Sequence, residues 1–129
     1  GRGICGIQAV YGYGSERISL PVHGVVSPWS EGIHIGPNSR ITWISGDATT
    51  LFDAEGVHPV RLNSLCFFFD GSDSPIKEIG RSSNEYPFSF EAKPGEEVCA
   101  FFGATYADGS IPYTGPILAS LGVWMKYNG

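Results

Sequence analysis

The sequence predicts an all-β fold, and three observations carry that prediction. Glycine and proline, 18 and 9 of the 129 residues, interrupt nearly every window long enough for an amphipathic helix. Gly costs backbone entropy in a helix interior, and Pro removes a donor and clashes with the preceding turn. Six segments instead carry aromatic or β-branched residues between Gly, Pro, Asp or Asn, the pattern of short strands. Their succession along the chain points to a sandwich, barrel or prism.

The segments follow in order. GIQAVYG (6–12) is the first strand, and GIHIG (32–36) adds a weaker one. RITWISG (40–46) alternates imperfectly, with Ile41 and Trp43 on one face and Ile44 on the other. GVHPVRL (56–62) is interrupted by Pro59, which suits only an edge or a strand start. LNSLCFFFD (62–70) and EVCAFFG (97–103) are apolar on both faces, as strands covered on both sides are, so Phe67, Phe68, Phe69, Phe101 and Phe102 read as core. Asp70-Gly71-Ser72-Asp73 reads as a hairpin turn with Asp side chains capping backbone amides. PFSFEA (87–92) follows, then a Pro94-Gly95 turn solvated by Glu96 and Glu97, and LASLGVWMKY (118–127) closes the chain. No linker or low-complexity stretch divides it, so residues 1–129 read as one domain, long enough to bury roughly two-thirds of its unfolded surface.

Charge and motif content narrow the function. With 13 acidic against 8 basic side chains the net charge is −5, and no basic patch exists to neutralise a phosphate backbone, which argues against a nucleic-acid partner. No apolar run approaches the ~20 residues of a membrane helix, so no membrane insertion is expected. The opening GRGICGIQ lacks the regions of a signal peptide, which leaves secretion and the cytoplasm both open, with secretion slightly favoured. Cys5, Cys66 and Cys99 are odd in number and lack metal-ligand spacing, and His23, His34 and His58 form neither an i, i+4 pair nor an HExxH motif. No nucleophile elbow is present, and no carboxylate pair stands out for glycoside hydrolysis. Asp70 and Asp73 lack the twelve-residue calcium loop. The expectation is a non-catalytic domain without metal or cofactor.

Between residues 40 and 126, RITWISGD, NSLCFFFDG, the loop KEIGRSSNE, YPFSFEA, VCAFFGATY and ILASLGVWMK follow one another in an order and spacing that resembles the jacalin-related lectins. The resemblance implies a β-prism of three Greek-key sheets about a pseudo-threefold axis, with Leu65, Phe67, Phe88, Phe90, Phe101, Leu121 and Val123 inside. It aligns Leu65 and Phe67 with inward positions, and Phe101, whose face Cys99 shares, with another. Cys66 and Cys99 would then face opposite ways, outside the geometry of a disulfide, and free thiols are expected. The resemblance also implies a strand before Gly6, where little precedes it here. An edge left unpaired invites a second chain, so a homodimer is expected.

Two functions compete. Sugars are held by a few fixed hydrogen-bonding groups and an aromatic face, and the loop ATYADGSIPYTGP (104–116) supplies Tyr106, Asp108 and Tyr113 beside Gly103, Gly109 and Gly115, whose bare backbones let amides approach a ligand. The resemblance implies a sugar site formed by this loop and the neighbouring 78–84 loop with Gly80 and Arg81, together with Ile117 in the stretch matching the family's GxxxD motif. On this reading the partners are glycans or glycoproteins. That stretch, Gly115-Pro116-Ile117-Leu118-Ala119, has Ala119 where the motif has Asp, and Pro116 lacks an N–H. The second function is therefore a protein-interaction or assembly domain on the same scaffold, with sugar binding lost.

Overall fold

A computed structural model describes residues 4–13, 15–25, 31–106 and 117–127. Every regular element in them is a strand. In chain order they are β1 (Gly6–Ile7), β2 (Val10–Tyr13), β3 (Glu16–Ser19), β4 (His23–Gly24), β5 (Ile41–Asp53), β6 (Gly56–Phe69), β7 (Lys77–Gly80), β8 (Tyr86–Glu91), β9 (Glu96–Tyr106) and β10 (Ile117–Tyr127). All pairing is antiparallel. The main sheet has the order β7-β6-β5-β8, and β9-β10, β1-β4 and β2-β3 form two-stranded sheets. Three consecutive strands with the fourth returned beside the first make this main sheet a Greek key.

The register explains the double-sided hydrophobicity. Ile44 pairs with Phe67 and Phe90, and Gly46 with Leu65 and Phe88, so these residues share the inner face. Trp43 pairs with Phe68 on the outer face, where their rings stack at 4.2 Å and the indole Nε1 donates to Ser89 Oγ at 2.6 Å. The inner face meets Val98, Leu118 and Leu121 of the β9–β10 hairpin, and Ile4 joins the same core. Leu65, Phe67 and Leu121 are buried there, and Phe88, Phe101 and Val123 pack against it half-buried. Phe90 is also half-buried.

Local chemistry sets the turns. Asp70 and Gly71 both have positive φ, 56° and 77°, and Ser72 N–H donates to the Phe69 carbonyl, the geometry of a type I′ turn. Asp70 Oδ1 accepts the Arg40 N–H, as expected of a capping Asp. Between β8 and β9, Pro94 and Gly95 (φ 84°) turn the chain while Glu96 Oε1 accepts the Lys93 N–H.

Five expectations need correction. GIHIG is not a strand: residues 32–36 join no ladder, and Ile33 packs on the core while Ile35 is exposed. The 6–12 segment breaks into β1 and β2 at Gln8-Ala9, and KEIG, read as loop, pairs with β6 as β7. Phe102 is not core but 54% exposed. Cys99 does not follow Phe101 inward, because a register shift between Trp124 and Met125 leaves Cys99 as an extra, exposed residue whose thiol donates to the Trp124 carbonyl. No disulfide joins Cys5, Cys66 and Cys99. Pro59 lies where β6 pairs with β5 alone, since β7 reaches only to Ser64, so its missing N–H breaks no second ladder.

Candidate functional site

The most elaborate polar arrangement lies on the outer face of the Greek-key sheet, under the loop that follows β7. Asp47 pairs with Ser64 and Ala48 with Leu62, so Asn63 is an extra residue on β6. Such a bulge re-aims the side chain and frees the backbone from the ladder. The freed Asn63 carbonyl accepts the Arg81 N–H at 3.0 Å and lies so close to Gly80 (φ 79°) that a Cβ there would collide with it. Glycine is what allows β7 to end in this way.

Asp47 sits beneath, a carboxylate only 3% exposed. Its Oδ1 accepts from Ser64 Oγ at 2.5 Å, and its Oδ2 from the Ser83 backbone N–H at 2.8 Å and Ser83 Oγ at 3.0 Å. Asn63 Nδ2 donates to Ser83 Oγ at 2.7 Å, and Arg61 Nε donates to Asn63 Oδ1 at 3.2 Å. A chain of donors thus runs from an exposed guanidinium through Asn63 and Ser83 to the buried carboxylate. Burial alone would raise the pKa of Asp47, but the bonds from Ser64, Ser83 and Asn63 outweigh it and hold the carboxyl below its ordinary range. Arg81, Ser82 and Asn84 face solvent on the other side of the loop. Asn84 takes a positive φ of 58°, donates its N–H to Ser82 Oγ at 3.2 Å, and completes a tight polar turn.

The base of the other predicted loop is joined to this one through the backbone. Leu118 N–H donates to the Cys5 carbonyl at 2.9 Å, Ile4 N–H to the Leu62 carbonyl at 2.7 Å, and Arg81 N–H to the adjacent Asn63. Of the residues singled out in the 104–116 loop, Tyr106 ends β9 opposite Ile117 at the start of β10. Gly103 lies against β10, where a Cβ would collide with the Ser120 carbonyl. What approaches Gly80 and Gly103 closely is therefore the protein's own backbone. Leu118 and Ala119 are buried, and a register shift leaves Ala119 as an extra residue on β10. Asp108, Gly109, Tyr113 and Gly115 lie outside the described residues.

A second surface was missed by sequence reasoning. Phe102 and Trp124, 54% and 61% exposed, meet on the outer face of β9–β10 with centroids 5.4 Å apart and planes at 51°. A shallow depression beside Trp43, Asp73 and Glu91 has a volume of only about 50 Å³, far below the roughly 300–1,000 Å³ of a small-molecule pocket. Among the described residues no three His, Cys, Asp or Glu side chains gather as metal ligands. Compared with family models, curated proteins and solved structures, the chain matches none.

Proposed function

We propose that the chain is a non-catalytic carbohydrate-binding module of the β-prism kind, holding a glycan between the 80–84 turn and the 104–116 loop. The observation that carries this reading is the anchored 80–84 turn. Its inward side is fastened by Asn63 and Asp47, and its outward side offers Arg81, Ser82 and Asn84, donors and acceptors suited to sugar hydroxyls. Two further features support it. The main sheet is a four-stranded Greek key, and β1–β4 is tied to the start of β10 by Leu118 N–H and the Cys5 carbonyl, as strands of a second prism face would be. Asp108 and a tyrosine of the longer loop would supply the carboxylate and the stacking face. A printed array of neutral and acidic glycans tests the reading. Binding to at least one structure, weakened in Arg81→Ala, is expected, and silence across the array from folded protein would reject it.

The exposed Phe102–Trp124 pair favours a second reading, an interaction or assembly domain, because aromatic side chains are enriched where proteins meet. Self-association would then bury these rings in a homodimer. Sedimentation of wild type against Trp124→Ser separates the two, since dimer lost in the variant favours assembly and a strict monomer opposes it.

A further inference from the structure

Asp47 has the marks of a group with a task beyond filling a sheet. It is a charge on a strand, its carboxylate sealed from water, in a stretch where its neighbours Gly46 and Ala48 face the core. Burying a carboxylate is costly unless it is well hydrogen-bonded. Among the described residues no buried side-chain polar atom is without a partner, so that condition is met here. Half of the bonds that meet it come from one loop residue, Ser83, 36 positions away in the chain.

The loop is short of other ties to the protein. Besides Asp47, the Arg81 N–H to the Asn63 carbonyl and the Asn63 amide to Ser83 Oγ hold it down. Ser82 and Asn84 bond chiefly to one another. We infer that Asp47 is a positioning residue. From within the sheet it fixes the Gly80–Asn84 loop in the conformation that turns Arg81, Ser82 and Asn84 outward together, so the loop is a preformed polar edge released when that one carboxylate is neutralised. That the edge meets a glycan rests on the function proposed above; that Asp47 holds it does not.

Neutralisation converts an acceptor-only group into one with a hydroxyl donor, and Asp47 faces four donors. The new hydroxyl needs an acceptor, so at least one of these contacts must reverse or part, and the bonds left to the neutral carboxyl are weaker than those to the carboxylate. The groups around it are Asn63 and Ser64 on β6, Ser83 on the loop and Pro87 paired opposite on β8. Arg61 reaches the cluster through Asn63, and the loop itself carries Arg81 and Glu85. The bonds to the carboxylate come from Asn63, Ser64 and Ser83 and not from Arg61 or Glu85, so the release should follow Asp47 itself.

Nuclear magnetic resonance on the intact chain tests this without a ligand. In wild type the Ser83 amide proton should shift with acidification along the same curve as the Asp47 carboxyl carbon, while amides of Ile44 and Leu65 stay still. In Asp47→Asn at neutral pH, Ser83 hydrogen exchange should rise roughly ten-fold or more against an unchanged Leu65, as expected when a bond to a charged group is lost. A Ser83 amide indifferent to the Asp47 titration would overturn the inference, as would equal loosening of Ser83 and Leu65. If Asp47→Asn does not fold, the wild-type titration decides alone. The glycan array separates the two readings: a loosened loop with array binding intact keeps the latch and moves the sugar site elsewhere, and a loosened loop with binding lost upholds both.

Discussion

Phe102 stands directly opposite Gly122 in the β9–β10 ladder, and its ring covers the glycine so closely that a Cβ there would strike three ring atoms. One face of the ring is taken by the backbone and the rest is open to water beside Trp124. Gly103, one residue along β9, meets something different: the backbone carbonyl of Ser120.

These two glycines should therefore respond differently to the same change. In Gly122→Ala the ring can swing aside, at a cost within about 0.5 kcal/mol, typical of the surface, with altered Trp124 fluorescence. In Gly103→Ala a strand backbone must move, costing about 1–3 kcal/mol as in overpacked cores. Chemical denaturation of both variants measures the difference, and equal costs would contradict the geometry.

Asp47 makes stability depend on acidity in a definite direction. Its folded carboxyl is held below the ordinary 3.8, so it adds stability that is complete above that value and lost as pH falls through the lower folded one. Melting temperature should thus drop below about pH 4, and the drop should be shallower in Asp47→Asn. At neutral pH, Asp47→Ala should cost about 1.5–3 kcal/mol, because donors from Ser64 and Ser83 are left facing an apolar group.

Thiol chemistry distinguishes two cysteines. Burial pushes the Cys66 thiol up, the Glu78 carboxylate paired opposite adds to this, and a bond with Ser45 offsets only part. Cys99 is exposed. Iodoacetamide at pH 8 should accordingly label Cys99 well before Cys66, and Glu78→Gln should speed the slower site. Peptide mass mapping over time reads both.

Asp108 carries the sharpest test of the proposed sugar site. Asp108→Ala should weaken binding to the best glycan on the array by about 1.5–3 kcal/mol, the range for hydrogen bonds to a charged group. Melting temperature should stay constant. Unchanged affinity would move the site off the 104–116 loop.

The strands were legible because their signals are local: aromatic and β-branched runs between turn residues, and an Asp-Gly pair that turns the chain after β6. What escaped is what bulges decide. Phe101 and Phe102 look equally apolar, and the extra Cys99 determines which of them turns inward. Asp47 looks like any polar residue in a half-exposed strand until the extra Asn63 brings the 80–84 loop over it. Strand periodicity carries no information on such one-residue insertions. The close approach of the Asn63 carbonyl to Gly80 is likewise a contact between distant positions that no local pattern announces.

The Greek-key order also bears on how the chain comes together over time. The β5–β6 ribbon closes over the tight Ala54–Glu55 turn, whereas Trp43 and Ser89 meet from 46 positions apart. Closing the longer span costs more chain entropy before any contact rewards it, so the ribbon should form early and β8 late. Side-chain truncation at Phe90 should then speed unfolding with little effect on the folding rate, and truncation at Leu65 should slow folding. On the ribosome, β5 emerges well before the strand that will cover its second edge. During that interval the Trp43–Ala48 stretch is a nascent segment open to the wrong neighbour.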